Sequence, residues 1–572
     1  MVSLKKGVVS LKNFSIHLMK QEEIDIVSSI IAQGYNDDIF FHWVVDKADD
    51  RISVVTNYYK EYLKIPSAIV YVAKDENEEI IGATVWLPHD VDPALYENIN
   101  NVVGEYAGQF QKVADLSHEF EPKNIPFYQL VGIVVKQNYQ GQGIGAALLK
   151  TQLDYLDSIG IATYLEASTP YNGDGVYSKF GYDYYNKVMN FEDAVYLYPL
   201  FRAPKTGKKT AFIYDESYFW HNAGNGALFE PAGGFIQENG SVESPESKRR
   251  VKNLLEMSGL IDQLRIIKPQ PVTTTQLEYF HTSEHINRVK EMSIIGGFDC
   301  GDSAIVGRGS YEIAKLSTGG AIEAVRNVVQ DDEIKNAYAL TRPPGHHAEK
   351  NQGMGFCIFN NIVIAAKFAQ NEIGVKKILI LDWDAHHGNG TEDAFYDDDS
   401  VCFISIHQDN LEPIGRGKKE HIGKGQGTGF NYNIPLLPAS GDAVYKYTFD
   451  KIVTPIVHKF KPELILISAG QDASIFDPLA RMMVSADGYK WMAKRMQHLA
   501  EIYCSGRLVC LHEGGYSEAY VPFCTHAVIE GLSGISTGVK DPFIYAMAGT
   551  GYNQMYDYQK QRVDEISSYF NL

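Results

Sequence analysis

The sequence predicts an α/β protein of two domains: a mixed α/β unit followed by a larger unit built on a central parallel sheet. Three observations predict it. The chain has 572 residues, several times the usual length of one domain, so at least two cores are expected. In the later part, apolar runs at 336–341, 377–382, 401–406, 463–468 and 507–511 alternate with helical patterns at 361–373, 442–459 and 485–503. That alternation describes a parallel sheet covered on both faces. Between the two parts lies APKTGKK (203–209), a short polar segment with Pro and Gly. The expected division is therefore 1–202, a linker at 203–209, and 210–572.

Composition removes several classes of function. Hydrophobic residues make up 45% and charged residues 22%, an ordinary globular balance. Lys and Arg total 52 against 71 Asp and Glu, a net charge of -19. Such a surface repels phosphate backbones, so direct nucleic-acid binding is not expected. No run approaches the ~20 apolar residues of a membrane helix, and no membrane partner is expected. Lys5, Lys6, Lys12 and Lys20 stand in the first twenty residues without an apolar stretch, which argues against a secretory signal. The six cysteines lie beyond position 299 without CxxC spacing. They read as reduced thiols, and a cytoplasmic location is expected. Homo-oligomerisation is left open.

In the first domain, apolar runs at 68–73, 80–87 and 129–135 read as strands of one sheet, with a long, mostly helical stretch at 93–120. The segment LVGIVVKQNYQGQGIGAALLKTQLDYL (130–156) then runs strand, Gly-rich turn, helix. Gly141, Gly143 and Gly145 let the backbone wrap closely, and the helix offers its N-terminal amides, which together make a cradle for a pyrophosphate. Many such turns only pack. The spacing is not GxGxxG, and no acidic residue ends a second strand ~20 residues on, which disfavours a dinucleotide fold.

Gln140, Gly141, Gln142, Gly143, Ile144 and Gly145 resemble the Q/R-x-x-G-x-G/A motif of GNAT-type N-acetyltransferases. TYLEAS (163–168) and YNGDGVYSKFGYDYY (171–185) follow in the expected order, so the resemblance covers about 13–200. It implies acetyl-CoA, or another acyl-CoA, with the amides of 141–145 on the pyrophosphate. Backbone near Ile133, Val134 and Val135 would meet the pantetheine and thioester. Tyr177 would be the acid for the thiolate leaving group, and Asn172 would help hold the cofactor. Glu166, at a strand end, is a weak candidate for the base, and a packing carboxylate is the slightly preferred reading. His42 and His118 read as ordinary polar residues.

The second domain carries polar segments at its predicted strand ends: TRPPGHHAEK (341–350), GMGFCIFNN (353–361), LDWDAHHGNGT (381–391), SAGQDAS (468–474) and HEGGYS (512–517). Each alone has a plain explanation. A His-His pair is commonly a hydrogen-bonded loop feature, and an Asp after a strand is commonly a helix cap. Their combination is different. Asp384 and His386 lie two apart, so an extended segment puts both on one side. Asp472 follows another strand and can close the set. Two carboxylates and one imidazole suit a catalytic Zn2+ with open positions. His346 and His347 supply a base and acid, and Tyr516 a hydrogen-bond donor for a developing oxyanion.

RPPGHHA, GFCxFNN, DWDxHHGNGT, AGxDA and EGGY resemble, in order and over roughly 208–540, the zinc-dependent histone deacetylase and acetylpolyamine amidohydrolase family. The resemblance implies an arginase-like α/β fold and hydrolysis of an acylated amine. Asp384, His386 and Asp472 would be the zinc ligands, His346 and His347 the dyad, and Tyr516 the carbonyl-polarising phenol. Asp382 would orient His346. Asn389 would orient His347, and an Asn there resembles the class II side of the family. Phe356, beside Gly355, would wall an acyl-lysine channel, and Asp299 would hold the substrate backbone at the rim. A structural K+ would lie on Asp382, the carbonyls of Asp384 and His386, and Ser405. Gln471 stands where the family usually has an aromatic residue, and Leu411 or Pro413 stands for another channel wall.

Polyamine-selective relatives carry an acidic gatekeeper where DPLA (477–480) has Leu479. A neutral residue there favours an acylated lysine peptide or protein over an acetylated polyamine, although acids of the loop 226–246 could substitute. The expectation is a bifunctional enzyme, a zinc deacylase with an acyl-CoA-dependent acetyltransferase. The alternative is a small-amine amidohydrolase whose first domain only senses acyl-CoA or binds substrate.

Overall fold

A computed structural model of the chain describes residues 9–11, 14–89, 91, 101–122, 126–185, 187–205, 209–227 and 230–572. The chain divides into two compact units, Met1–Thr206 and Gly207–Leu572. Residues 206–208 of the expected linker, 93–100 of the expected helical stretch, and 228–229 of the acidic loop lie outside the described residues.

The first unit is a twisted mixed sheet between two layers of helices. Its strands are β1 (Val9–Leu11), β2 (Phe14–Leu18), β3 (Ile69–Lys74), β4 (Ile80–Pro88), β5 (Phe127–Val135), β6 (Ala162–Ala167), β7 (Asp183–Tyr184), β8 (Met189–Phe191) and β9 (Val195–Arg202). They lie in the order β1-β2-β3-β4-β5-β6-β9-β7, with β8 on β9. Strand alternation sorts the core. Val70 and Val72 of β3 pack with α1 (Ile24–Gly34) and α3 (Ala48–Lys64), whereas Ile69, Tyr71 and Ala73 pack on the other face. A short helix, α2 (Ile39–Val44), joins α1 to α3.

One pairing is decisive for function. β5 and β6 are parallel and paired only from Phe127↔Ala162 to Gln129↔Tyr164. Beyond Gln129, β5 stays with β4 as far as Val135. The two central strands therefore splay, and a cleft opens between them. On the expected helical stretch, the described helix is α4 (Ala107–Phe120). α5 (Ile144–Ser158) follows the Gly-rich turn.

The second unit has an eight-stranded sheet of β10 (Lys209–Ile213), β11 (Arg265–Ile267), β12 (Ile334–Ala339), β13 (Ile378–Asp382), β14 (Val401–Gln408), β15 (Asn431–Leu436), β16 (Leu464–Ala469) and β17 (Leu508–His512). Their order is β11-β10-β12-β17-β16-β13-β14-β15, and every pair is parallel. All residues of β13 to β17 are buried. This is why they read as near-continuous apolar runs rather than alternating ones. β12, β17, β16 and β13 are neighbours, so the loops after them converge at one edge of the sheet, where parallel sheets collect working residues.

Candidate active sites

In the second unit, the loop after β13 places Asp384 and His386, and the loop after β16 places Asp472. Their donor atoms lie within 4.8 Å of one another. Nδ1 of His386 is 3.1 Å from Asp384 Oδ1 and 2.8 Å from Asp472 Oδ2. Both carboxylates are fully buried. Backbone amides orient their other atoms: Gly514 donates to Asp384 Oδ2 (2.9 Å) and Ala385 to Asp472 Oδ1 (2.7 Å). A Cβ at Gly514 would stand 2.5 Å from Asp472 Oδ2 and 2.7 Å from Asp384 Oδ2, so the cradle requires glycine there. Burial and the adjacent Asp384 charge push the Asp472 carboxyl well above its usual range. Two buried carboxylates and an imidazole converging on one point form a donor set that a divalent cation such as Zn2+ fits, and a cation would offset that repulsion.

Beside this set stand two imidazoles, His346 and His347, on the loop after β12. Nδ1 of His346 lies 2.9 Å from Asp382 Oδ2, and Nδ1 of His347 lies 2.8 Å from Asn389 Oδ1. Burial opposes charge on His346, but Asp382 and Asp384 prevail and raise it to about 10. His347 is driven well below its usual value by burial and by the positive charge on His346 and His386. The dyad is electrically unequal. Tyr516 is nearly buried, its ring centroid 5.7 Å from that of Phe356, and its amide donates to Asp477 Oδ2 at 2.8 Å. Gly355 packs on the His347 ring, where a Cβ would come within 2.6 Å. Ser405 pairs in register with Asp382, with its hydroxyl 2.9 Å from Nδ1 of His407.

The rim residues stand differently. Asp299 is exposed, and its carboxylate accepts from the amides of Gly301, Ser303 and Ala304 at 2.8–3.0 Å. It stiffens its own turn. Leu479 is partly exposed, its amide donating to Asp477 Oδ1 at 2.9 Å. Gln471 is fully buried and donates to the carbonyl of Ala469 at 2.7 Å, filling the place of the expected aromatic with a hydrogen-bonded amide.

Two supports escaped the sequence reading. Glu513 is fully buried, and its Oε2 accepts from the amides of Gly345 (2.6 Å) and His346 (3.2 Å). It anchors the dyad loop, and burial raises it to about 7. Its place inside EGGY was the available signal. Lys248 and Glu243, both buried, pair at 3.1 Å, and Arg342 reaches Glu243 Oε2 at 2.9 Å. Against the cost of burial, Arg342 and Lys248 hold Glu243 at about 2. Nζ of Lys248 stands 5.6 Å over the Tyr516 ring. No motif marks Glu243 or Lys248.

In the first unit, the splay between β5 and β6 opens into a cavity of about 1220 Å3. Gln140, Gly141, Gly143, Ile144 and Gly145 line it, as do Ile133, Val134, Val135, Asn172 and Tyr177. Gln142 is the exception among the expected residues, its side-chain amide turned to the carbonyl of Asn138 at 3.5 Å. Gly143 has φ +82 and precedes α5 without a side-chain cap, leaving the first-turn amides for an anion. The β5 edge is not bare. Tyr35 accepts from the amide of Ile133 (2.9 Å) and donates to its carbonyl (3.1 Å), and Tyr59 donates to the carbonyl of Val131 (2.9 Å). The carbonyl of Val135 accepts from Gln140 at 3.1 Å. Tyr35 directly follows α1 and Tyr59 lies on α3, both distant in sequence from β5, and nothing in their local pattern marks them. Glu166 lines the same cavity. Burial raises it to about 7, while Ser117 (2.9 Å) and Tyr164 (3.1 Å) donate to it.

A family model described as the histone deacetylase domain matches residues 241–532, half of the chain. The chain belongs to the histone deacetylase family. A model of the acetyltransferase (GNAT) family matches residues 38–182, so a GNAT domain precedes the deacetylase domain. The chain is similar to the histone deacetylase-like amidohydrolase of Pseudomonas aeruginosa, 45% identical over 369 residues, covering 64% of this chain and 97% of that protein. It is 39% identical over 318 residues to a probable deacetylase of Archaeoglobus fulgidus, covering 54% of this chain and 88% of that one. The crystal structure of the HDA15 HD domain matches with a TM-score of 0.53 at 30% identity, covering 64% of this chain and 99% of that one. The deacetylase-family domain implies a metal and the GNAT domain implies acyl-CoA binding. No described helix is long and apolar enough to cross a membrane.

Proposed function

We propose that the chain is a bifunctional enzyme whose deacetylase domain hydrolyses N-acetyl-lysine in peptides or proteins and whose GNAT domain transfers an acyl group from acyl-CoA. The observation that carries the first part is the convergence of Asp384, His386 and Asp472 beside an unequal imidazole pair and a buried phenol.

Asp384, His386 and Asp472 would hold Zn2+. When bound, the ion supplies an acidified water and a polarised carbonyl. The protein residues do the rest. Asp382 and Asn389 fix the two Nδ1 atoms, which leaves the Nε2 atoms of His346 and His347 to take the proton of the attacking water and return it to the leaving amine. The Tyr516 hydroxyl donates a hydrogen bond to the oxygen of the scissile amide as charge develops there. Phe356 walls the acyl-lysine channel, and the neutral Leu479 at its rim suits a peptide rather than a polycation. Asp382 and Ser405, in register, suit a structural K+ together with the carbonyls of Asp384 and His386.

In the GNAT domain, the α5 amides and the Gly-rich turn would take the pyrophosphate of acetyl-CoA. Tyr35 holds the backbone groups of Ile133, so a pantetheine arm meeting Ile133 must displace that hydroxyl or pass it. Glu166 is suited to take a proton from an amine, and Tyr177 to give one to the departing thiolate.

The test is metal stoichiometry and acetate release in one preparation. Wild type should bind one Zn2+ per chain in the second unit and release acetate from an acetyl-lysine peptide. Asp472→Asn should lose both. Retention of full activity by that variant would overturn the ligand assignment.

A further inference from the structure

The carboxamide of Asn389 can be turned two ways, and only one suits the proton transfer assigned to His347. With Oδ1 towards the imidazole, Nδ1 must carry the hydrogen, and Nε2 keeps the lone pair that accepts a proton. With Nδ2 towards it, Nδ1 becomes the acceptor and Nε2 carries the hydrogen. A neutral His347 in that tautomer cannot act as a base. The neighbours of the amide decide between the two.

Nδ2 of Asn389 faces three acceptors. It donates to Glu349 Oε1 at 2.9 Å, and the His347 carbonyl and Met354 Sδ each stand 3.4 Å away. Glu349 is the strong partner of the three, because a hydrogen bond to an ionised group is roughly twice as strong as a neutral one. An ionised carboxylate only accepts, so it draws Nδ2 towards itself. Oδ1 is then left for Nδ1 of His347 at 2.8 Å, and the whole Asn389 side chain is buried in that position.

Glu349 is itself held. It stands two residues after His347 on the loop that follows β12, half-buried. Its amide donates to the carbonyl of Gln352 (2.9 Å), and Gln352 Nε2 donates to its Oε2 (2.9 Å). Its carbonyl takes the Nδ1 hydrogen of His281 at 2.9 Å. That hydrogen is fixed on Nδ1, because Nε2 of His281 accepts from the amide of Asn360 at 2.8 Å. The second oxygen and both backbone groups of Glu349 are thus occupied, and Oε1 is the atom left for Asn389.

We propose that Glu349 is a positioning residue for deacylation, which fixes the amide of Asn389 and, through it, the tautomer of His347. This rests on the dyad reading above. His347 and Glu349 belong to one loop and grip Asn389 from both ends of its amide, so HHAE (346–349) carries both the imidazole and the group that sets it. A carboxylate at position 389 would need no such device, since both of its oxygens accept. It would instead repel Glu349. The role of Glu349 therefore follows from the amide at 389.

The experiment measures initial acetate release from an acetyl-lysine peptide by the zinc-loaded full-length chain, with zinc content and melting temperature taken for each variant. Glu349→Ala should lower kcat roughly tenfold, the size of one hydrogen bond to a charged group, with KM and zinc content near those of wild type. Glu349→Gln still offers an oxygen to Asn389 Nδ2 and should recover most of that loss. Asn389→Asp needs no fixed orientation, so adding Glu349→Ala to it should cost less than about twofold in kcat. A merely structural role would give the same loss in both backgrounds. That result, no loss in the native background, or a loss carried by KM would overturn the proposal. Should Glu349→Ala prove unstable, Glu349→Gln added to Asn389→Asp decides: kcat should hold or rise, because the introduced amide donates to the carboxylate at 389, and a fall would overturn the proposal. His347→Ala is measured alongside. Full activity there would overturn the dyad reading and the role of Glu349 with it, whereas its loss beside a silent Glu349→Ala would remove only the latter.

Discussion

Nδ1 of His347 lies 2.8 Å from the amide oxygen of Asn389, whereas its neighbour His346 has a carboxylate, Asp382, at 2.9 Å. An amide can orient an imidazole but cannot stabilise its charged form as a carboxylate does. Asn389→Asp should therefore raise the pKa of His347. A group that must be neutral to accept a proton is then protonated up to a higher pH, so the acidic limb of the deacylation profile should move up. The pH dependence of kcat/KM for wild type and variant checks this. No displacement would mean that His347 does not govern that limb.

The phenol of Tyr516 has a separate expectation. Tyr516→Phe removes one donor from the developing oxyanion and should lower kcat by ~10²–10³. Its backbone amide, not its hydroxyl, holds Asp477, so the loop should persist. Zinc content measured by elemental analysis should stay near that of wild type.

Much of this site was legible because it is local. Asp382 ends one apolar strand and Asp384 and His386 follow it within four residues, and parallel strands place such segments at a shared edge. Asp472 and Tyr516 were readable for the same reason, since each follows a buried run that ends in glycine. Glu513 was written in the same motif, but a carboxylate that accepts two amides from a loop 168 and 167 residues away has no local signature. The cleft of the GNAT domain was half legible. The Gly-rich turn announces the cradle, while Tyr35, just past α1, and Tyr59 of α3 reach β5 across 98 and 72 residues and are indistinguishable in local sequence from core aromatics. Asp299 shows the opposite limit: a rim carboxylate suggested by motif position spends its hydrogen bonds within its own turn.

Glu513 should behave as a positioning residue. Glu513→Ala leaves the amides of Gly345 and His346 without an acceptor in a buried place, a cost of ~1–3 kcal/mol. The melting temperature should fall and kcat should drop more than KM rises. Glu513→Gln keeps an acceptor oxygen and should restore most of both. If Glu513→Gln is as damaged as Glu513→Ala, the charge matters rather than the hydrogen bonds.

Glu166 gives the transferase its own pH signature. Burial raises its carboxyl to about 7. A base must be deprotonated, so kcat/KM for transfer should rise with pH to about 7 and then level off on this account. Glu166→Gln should lower the rate and remove that limb. The same raised pKa means that Glu166 destabilises the folded state progressively as pH rises from its unfolded value towards 7, and the variant should lose this dependence.

The two domains should also separate by mutation. Gly143 has φ +82, which L side chains rarely adopt, and it lines the cavity of the GNAT domain. Gly143→Trp should abolish acetyl-CoA binding by calorimetry and leave deacylation unchanged.

The most direct test of the account is acetate release by the zinc-loaded full-length chain, with an acetyl-lysine peptide pool compared against acetylated polyamines. The account predicts faster release from the peptides, because Leu479 offers no charge to a distant ammonium. Faster release from the polyamines would contradict it and make the deacetylase domain a small-amine amidohydrolase.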